Sequence, residues 1–167
     1  MSAQATPATR IVTSAGVLFT LHTYDHDPKA PSYGLEAAER LGVVPGRVGK
    51  TLVASLVRSA KAELVVGVVP VDGQLDLKAL ATALGAKRAD MASPADVERS
   101  SGYVLGGVSP LGQRKRLTTV IEASLMEHDT VFVSAGRRGL EMELSPHDLV
   151  VLARAQVAAI ASDTARS

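Results

Sequence analysis

Three glycine-punctuated stretches constrain this chain more than anything else in it: Gly49-Lys50-Thr51-Leu52, Gly106-Gly107-Val108-Ser109-Pro110-Leu111-Gly112 and Ser134-Ala135-Gly136-Arg137-Arg138-Gly139. Each borders an apolar run, which places each at the rim of a sheet. Glycine there lets the backbone approach a ligand closely and present its N–H groups. One lysine, several N–H groups and two arginines suit a ligand that carries both a phosphate and a carbonyl.

The bulk numbers narrow the classes. At 167 residues the chain reads as one domain, 1–167, with an ordered core over about 6–161. It is 46% hydrophobic but only 3% aromatic, so its core must be built from Val, Leu, Ile and Ala. Eighteen basic against 17 acidic residues leave a net charge of +1. That balance is far from a protein gripping nucleic acid through its backbone alone, so basic surface must be local or a partner must help. The absence of cysteine excludes disulfides, thiolate metal sites and a cysteine nucleophile. No run approaches the roughly 18 apolar residues of a membrane span, and Met1-Ser2-Ala3-Gln4-Ala5 lacks a signal pattern. A soluble cytoplasmic protein without membrane contact is expected.

Local signals predict mixed strands and helices, an α/β or α+β class. Thr6-Pro7 and Gly16 frame a first helix. Phe19 to Tyr24 alternates as a half-buried strand, Asp25 to Ser32 is a loop, and Tyr33 to Leu41 is a helix stopped by Gly42. Thr51 to Val57 and Leu64 to Val69 read as a hairpin. Asp76 caps a helix with Leu77, Leu80, Ala81 and Leu84 on one stripe, and Ser93-Pro94-Ala95-Asp96 opens another that Gly102 ends. Short strands are predicted over Thr119 to Glu122, Thr130 to Ser134 and Leu140 to Leu144. Ser145-Pro146 opens a closing helix over Leu149 to Ile160, with a frayed tail from Ser162 to Ser167.

Lys50 admits three readings. It is a solvated lysine at a strand start, the end of a phosphate loop, or a functional cation. The phosphate loop requires glycine where Val44 stands, with a strand before and a helix after; here a helix precedes and a β-rich run follows. A nucleotide hydrolase is therefore disfavoured. With no neighbouring cation in its local sequence, Lys50 is expected to be charged, holding substrate or developing negative charge. His22 and His26 stand beside Asp25 and Asp27, but nothing else supplies ligands, so neither a metal nor a cofactor is expected. Arg114-Lys115-Arg116 and Arg137-Arg138 are the best basic patches; they flank two of the glycine stretches and suit the phosphates of a nucleic acid through modest, salt-sensitive contacts. Taken by itself, Glu141 reads as an exposed strand residue.

The three glycine stretches, with Leu21-His22-Thr23-Tyr24-Asp25-His26-Asp27-Pro28, Gly73-Gln74-Leu75-Asp76-Leu77-Lys78 and Leu84-Gly85-Ala86-Lys87, resemble the YbaK family of free-standing aminoacyl-tRNA editing proteins from about Thr6 to Ile160. The resemblance implies a curved mixed sheet, almost a barrel, with helices around it. It implies cleavage of the ester between an amino acid and the 3′ end of tRNA, pointing to cysteine mischarged onto proline tRNA, with prolyl-tRNA synthetase as partner. Lys50 matches the lysine essential to editing. Tyr24 and Tyr33 match pocket-lining positions and suit stacking on the terminal base. Gly106 and Gly107 would bring N–H groups to the carbonyl or the adenosine. Ser134 and Gly136 would form the far wall, Thr51 would orient substrate, and Glu141 would meet the substrate amino group. Ala135 stands where relatives usually carry glycine, which argues against a positive φ there; Arg137 replaces lysine and Glu141 replaces aspartate. No Ser-His-Asp order, His-Glu-x-x-His motif or cysteine is present, which fits a substrate that supplies its own nucleophile. Alternatives are an alanyl-tRNA editor and a non-catalytic module that binds tRNA or a synthetase.

Overall fold

In the computed structural model, which describes residues 4–163, a mixed sheet buried on both faces carries the molecule. The first helix, α1 (Pro7–Ala15), begins where Thr6 accepts from the Thr9 N–H and Thr9 answers the Thr6 N–H; Gly16, at φ 72°, ends it. β1 (Phe19–Thr23) and α2 (Tyr33–Leu41) follow, the latter capped by Ser32 and stopped by Gly42. After a 3-10 turn at Pro45–Arg47 comes the hairpin β2 (Gly49–Val57) and β3 (Ala62–Pro70), paired from Gly49–Pro70 to Val57–Ala62. The predicted hairpin is therefore present, longer at both ends.

β4 (Gly73–Leu75), α3 (Leu77–Ala83), β5 (Arg88–Met91) and α4 (Pro94–Ser101) lead to β6 (Thr118–Glu122). β7 (Val131–Arg137), β8 (Leu140–Leu144) and α5 (Pro146–Ala153) precede two three-residue strands, β9 (Gln156–Ala158) and β10 (Ala161–Asp163).

Among the described residues these strands form three sheets. A five-stranded mixed sheet runs β5-β2-β3-β6-β9, a three-stranded antiparallel sheet runs β1-β8-β7, and β10 pairs with β4. The expected mixed α+β class is found, but the curved, barrel-like sheet does not close among the described residues: the two larger sheets meet through the parallel bridge Val48–Phe132 and otherwise face each other across side chains. β3 explains its own unbroken apolar run. Val66 and Val68 point into the core shared with Val133, Leu140 and Met142, while Val65 and Val69 pack under α3 against Leu80 and Ile160. A strand covered on both faces has no polar side to alternate with.

The predicted closing helix over Leu149 to Ile160 is corrected. α5 stops at Ala153 because Arg154 turns to φ 50°, its N–H bonding the Val150 and Val151 carbonyls. The chain then pairs with β6 and β4 instead. Glu122 holds this arrangement: its Oε1 accepts from the N–H groups of Ile160 (2.9 Å) and Ala161 (3.1 Å), its Oε2 from Ser124 (2.9 Å). Burial alone would raise its pKa, but these donors hold it below the ordinary carboxylate range. Glu122→Ala strands buried N–H groups and is expected to cost about 2–3 kcal/mol in urea unfolding; Glu122→Gln, keeping one acceptor, should cost less. Equal losses for the two would reject the anchoring role. The predicted tail is corrected at Ser162, which lies in β10; residues 164–167 fall outside the described residues. No helix among the described residues is long and apolar enough to cross a membrane.

Candidate active site

A cavity of about 300 Å³ opens where the start of β2, the N-terminus of α2, the segment before α4, the glycine loop at 105–108 and the β7–β8 pair converge. Its walls are mostly apolar, formed by Leu52, Val53, Ala92, Val97 and Val108. Lys50 and Thr51 enter it from β2, Tyr33 from α2, Gly106 from the loop, and Ser134 and Glu141 from adjacent strands. Six of the residues singled out in the sequence, drawn from all three glycine stretches and from α2 and β8, thus border one space.

Lys50 is half-buried. Burial pushes its pKa below the ordinary lysine value, and the Asp72 carboxylate works in the opposite direction. The charge that acts on it is therefore an anion from the β3–β4 turn, invisible in its local sequence.

Glu141 is not exposed. It is 8% accessible, its Oε2 has no hydrogen-bond partner, and burial pushes its pKa up to about 8. The Thr51 Oγ1 is likewise buried without a partner. Two unsatisfied polar atoms in residues lining one apolar cavity are unusual in a folded protein.

Gly106 adopts φ +85°, and a Cβ there would come within 2.7 Å of the Tyr33 ring, so only glycine lets the ring lie against the loop. Gly107 does not line the cavity. Its N–H bonds the Val104 carbonyl at 2.9 Å, and a Cβ would meet the Arg137 backbone at 2.7 Å. Gly136 also stands outside the lining. It sits at φ +110° in a bulge of β7 against Tyr103 and Thr6, and its N–H bonds the Ser134 Oγ at 3.2 Å. Ala135 has no positive φ; it is buried, and its carbonyl accepts from the Thr6 hydroxyl. Tyr24 packs against the Val48–Val71–Phe132 cluster rather than in the cavity wall, and burial, with the charges of Glu141 and Glu36, pushes its hydroxyl up to about 12. Ser109, Pro110 and Leu111 shape the loop from behind, with the Tyr103 hydroxyl donating to the Leu111 carbonyl at 2.7 Å.

The basic patches separate. Arg138 reaches the cavity mouth, where its Nε donates to the Leu105 carbonyl at 2.7 Å and its guanidinium lies 5.1 Å from the Tyr33 ring centre. Arg137 is exposed beside it. Arg114, Lys115 and Arg116 are exposed at the end of α4, and the last two border a second, smaller cavity with Ile11 and Leu152. His22 bonds Glu143 at 2.8 Å and His26 bonds Glu36 at 2.7 Å. No group of three metal-ligating side chains occurs among the described residues.

Sequence reading missed the apolar half of the cavity. Met91, Ala92 and Pro94 reach it because β5 pairs with β2, a pairing with no local signature. The Ser93 cap marked the start of α4 but not where that start would lie.

The profile of the aminoacyl-tRNA editing domain family matches residues 27–152. EbsC of Enterococcus faecalis, named as a candidate Cys-tRNA(Pro)/Cys-tRNA(Cys) deacylase, is 40% identical over 123 residues, covering 74% of this chain and 73% of its own. The Ser/Thr-tRNA deacylase ProXp-y of Escherichia coli is 29% identical over 121 residues, 72% of each chain. The crystal structure of a proposed trans-editing enzyme for prolyl-tRNA synthetase superposes with a TM-score of 0.77 at 24% identity, over 97% of this chain and 99% of that one.

Proposed function

The chain belongs to the aminoacyl-tRNA editing domain family, and we propose that it removes cysteine from mischarged Cys-tRNA(Pro) in trans, with the substrate thiol attacking its own ester carbonyl. The observation that carries the reading is the cavity itself: Lys50 and the Gly106 loop border it, while no histidine and no cysteine are among its lining residues. The Thr51 hydroxyl has no hydrogen-bond partner and the Ser134 Oγ accepts from the Gly136 N–H, so neither is paired with a histidine in the manner of an activated nucleophile.

In the proposed reaction the cysteinyl sulfur forms a bond to its own carbonyl carbon, the carbon–oxygen bond to the tRNA ribose breaks, and the ribose oxygen takes up a proton. A thiolactone leaves and is hydrolysed by water. Making the attack intramolecular removes much of the entropic barrier. A free thiol has a pKa near 8.5, so only roughly a few per cent is ionised at pH 7; a cation at Lys50 raises that fraction and steadies the oxyanion at the carbonyl. The apolar walls exclude water and strengthen both effects. Tyr33 offers a surface for the terminal base, and the modest net charge favours prolyl-tRNA synthetase as the source of tRNA selection.

A panel of tRNA(Pro) carrying cysteine, serine or alanine tests this. Cysteinyl ester is expected to be cleaved fastest, alanyl ester to survive; seryl ester cleaved as fast as cysteinyl ester rejects the thiol mechanism. The second reading, a hydroxyl-bearing aminoacyl substrate, draws on the similarity to ProXp-y and wins if seryl ester is preferred.

A further inference from the structure

Three separate pieces of chain meet at the cavity mouth, and one side chain touches two of them. Arg138, from the β7–β8 turn, donates through Nε to the Leu105 carbonyl of the glycine loop (2.7 Å) and lays its guanidinium over the Tyr33 ring of α2 (5.1 Å to the centre). Tyr33 in turn lies against Gly106, so closely that a methyl group there would clash with three of its ring carbons. Gly107 sits equally close to the Arg137 backbone. His26 flanks the Tyr33 ring at 5.5 Å between centres, and is itself held at 2.7 Å by Glu36, a buried residue that also accepts from the Asp27 N–H. Tyr33, Leu105 and Gly106 all border the cavity that contains Lys50.

We infer that Arg138 is a positioning residue for the deacylation, bracing the cavity mouth through Tyr33 and Leu105 instead of holding a tRNA phosphate. The inference rests on the cavity being the deacylase site. Its logic is geometric. A guanidinium combines a flat face that stacks on an aromatic ring with N–H donors in its plane, which lysine cannot reproduce. Here the guanidinium lies over Tyr33 and its Nε is engaged by a carbonyl, so two contacts within the protein fix its position. Without Arg138, Tyr33 and the Gly106 loop lose their common tie, and the substrate carbonyl is no longer held at a fixed position relative to Lys50. Displacements of about 1 Å at such a site cost up to about 10²-fold in rate.

Arg138→Ala and Arg138→Lys should be assayed on Cys-tRNA(Pro) and on the 3′-cysteinyl ester of adenosine, which has no phosphate. Both variants are expected to lose between about tenfold and about 10²-fold in kcat/KM, by the same factor on the two substrates, and mainly in kcat. The salt dependence of KM on tRNA should stay that of the unaltered protein. In a Tyr33→Leu background the further loss from Arg138→Ala should shrink toward none. A loss seen on tRNA and absent on the adenosine ester identifies a phosphate ligand and overturns the inference, as do unchanged rates or losses that multiply with Tyr33→Leu. Fluorine NMR of the 3-fluorotyrosine-labelled protein gives a readout independent of activity, with Tyr33 assigned by Tyr33→Phe. Arg138→Lys should move the Tyr33 resonance and leave Tyr103 in place; an unmoved Tyr33 signal overturns the inference even if the protein deacylates nothing. Inactivity of the unaltered protein on both esters would instead reject the deacylase reading.

Discussion

Lys50→Ala is expected to lower single-turnover deacylation by about 10²–10³-fold, the range found when one preorganised group facing a developing oxyanion is removed. The side chain leaves from the second position of β2, where the Lys50 backbone pairs with Val69 and remains paired after truncation. Stability should therefore change little, and a loss of rate can be assigned to the ammonium. Lys50→Met, which preserves the apolar stem, should be as inactive as Lys50→Ala, whereas Lys50→Arg should keep part of the rate. The measurement is the first-order decay of Cys-tRNA(Pro) at saturating enzyme. An unchanged rate in an active preparation removes Lys50 from the chemistry and, with it, the proposed mechanism.

Stability should fall as pH rises between 4.5 and about 8, by up to about 1.4 kcal/mol per pH unit from Glu141 alone. In that window the unfolded chain has an ionised Glu141 while the folded protein keeps it protonated, because burial disfavours the charge. The folded state thus binds one proton more, and raising pH favours unfolding. Above about 8 the slope ends, since both states are then ionised. Tyr24 and Tyr103, pushed up to about 12, act only above pH 10. Glu36, Glu122 and Glu143 have the opposite sign. Hydrogen bonds or a paired histidine hold them below the ordinary range, so what they contribute is present above pH 4.5 and lost as pH falls through their folded values. Urea unfolding of the unaltered protein and of Glu141→Gln at pH 5 and pH 8 checks this. The unaltered protein should weaken over the interval relative to the variant, whose amide does not titrate. Parallel behaviour of the two would mean that Glu141 is ionised in the folded state. A substrate ammonium in the cavity would reverse the effect by stabilising the carboxylate.

Short-range signals read well. Thr6-Pro7 with Gly16, Gly42, Asp76 and Ser93 each mark a helix start or stop at the predicted residue, because a cap is made by hydrogen bonds between neighbours a few residues apart. The β2–β3 hairpin is equally local. Reading failed where a partner distant in sequence decides. The Ala-rich stretch after Arg154 has good helical propensity, yet three-residue strands form there because Glu122 and the edges of β6 and β4 take up its N–H and C=O groups. The same holds at the site. Lys50, Gly106 and Ser134 border one cavity, whereas Gly107 and Gly136 lie outside its lining and pack the loop and the bulge.

By itself, then, the sequence determined the alternation of helices and strands, a mainly aliphatic core, the absence of any cysteine chemistry and the family to which the chain belongs. Tertiary structure alone decided that Glu141 is buried and its pKa pushed up, that the Asp72 charge acts on Lys50, and that Arg138 reaches Tyr33 and Leu105. The reason is physical: burial and pairing are properties of surfaces brought together by strand pairing over tens of residues, and no side chain carries a record of what will cover it.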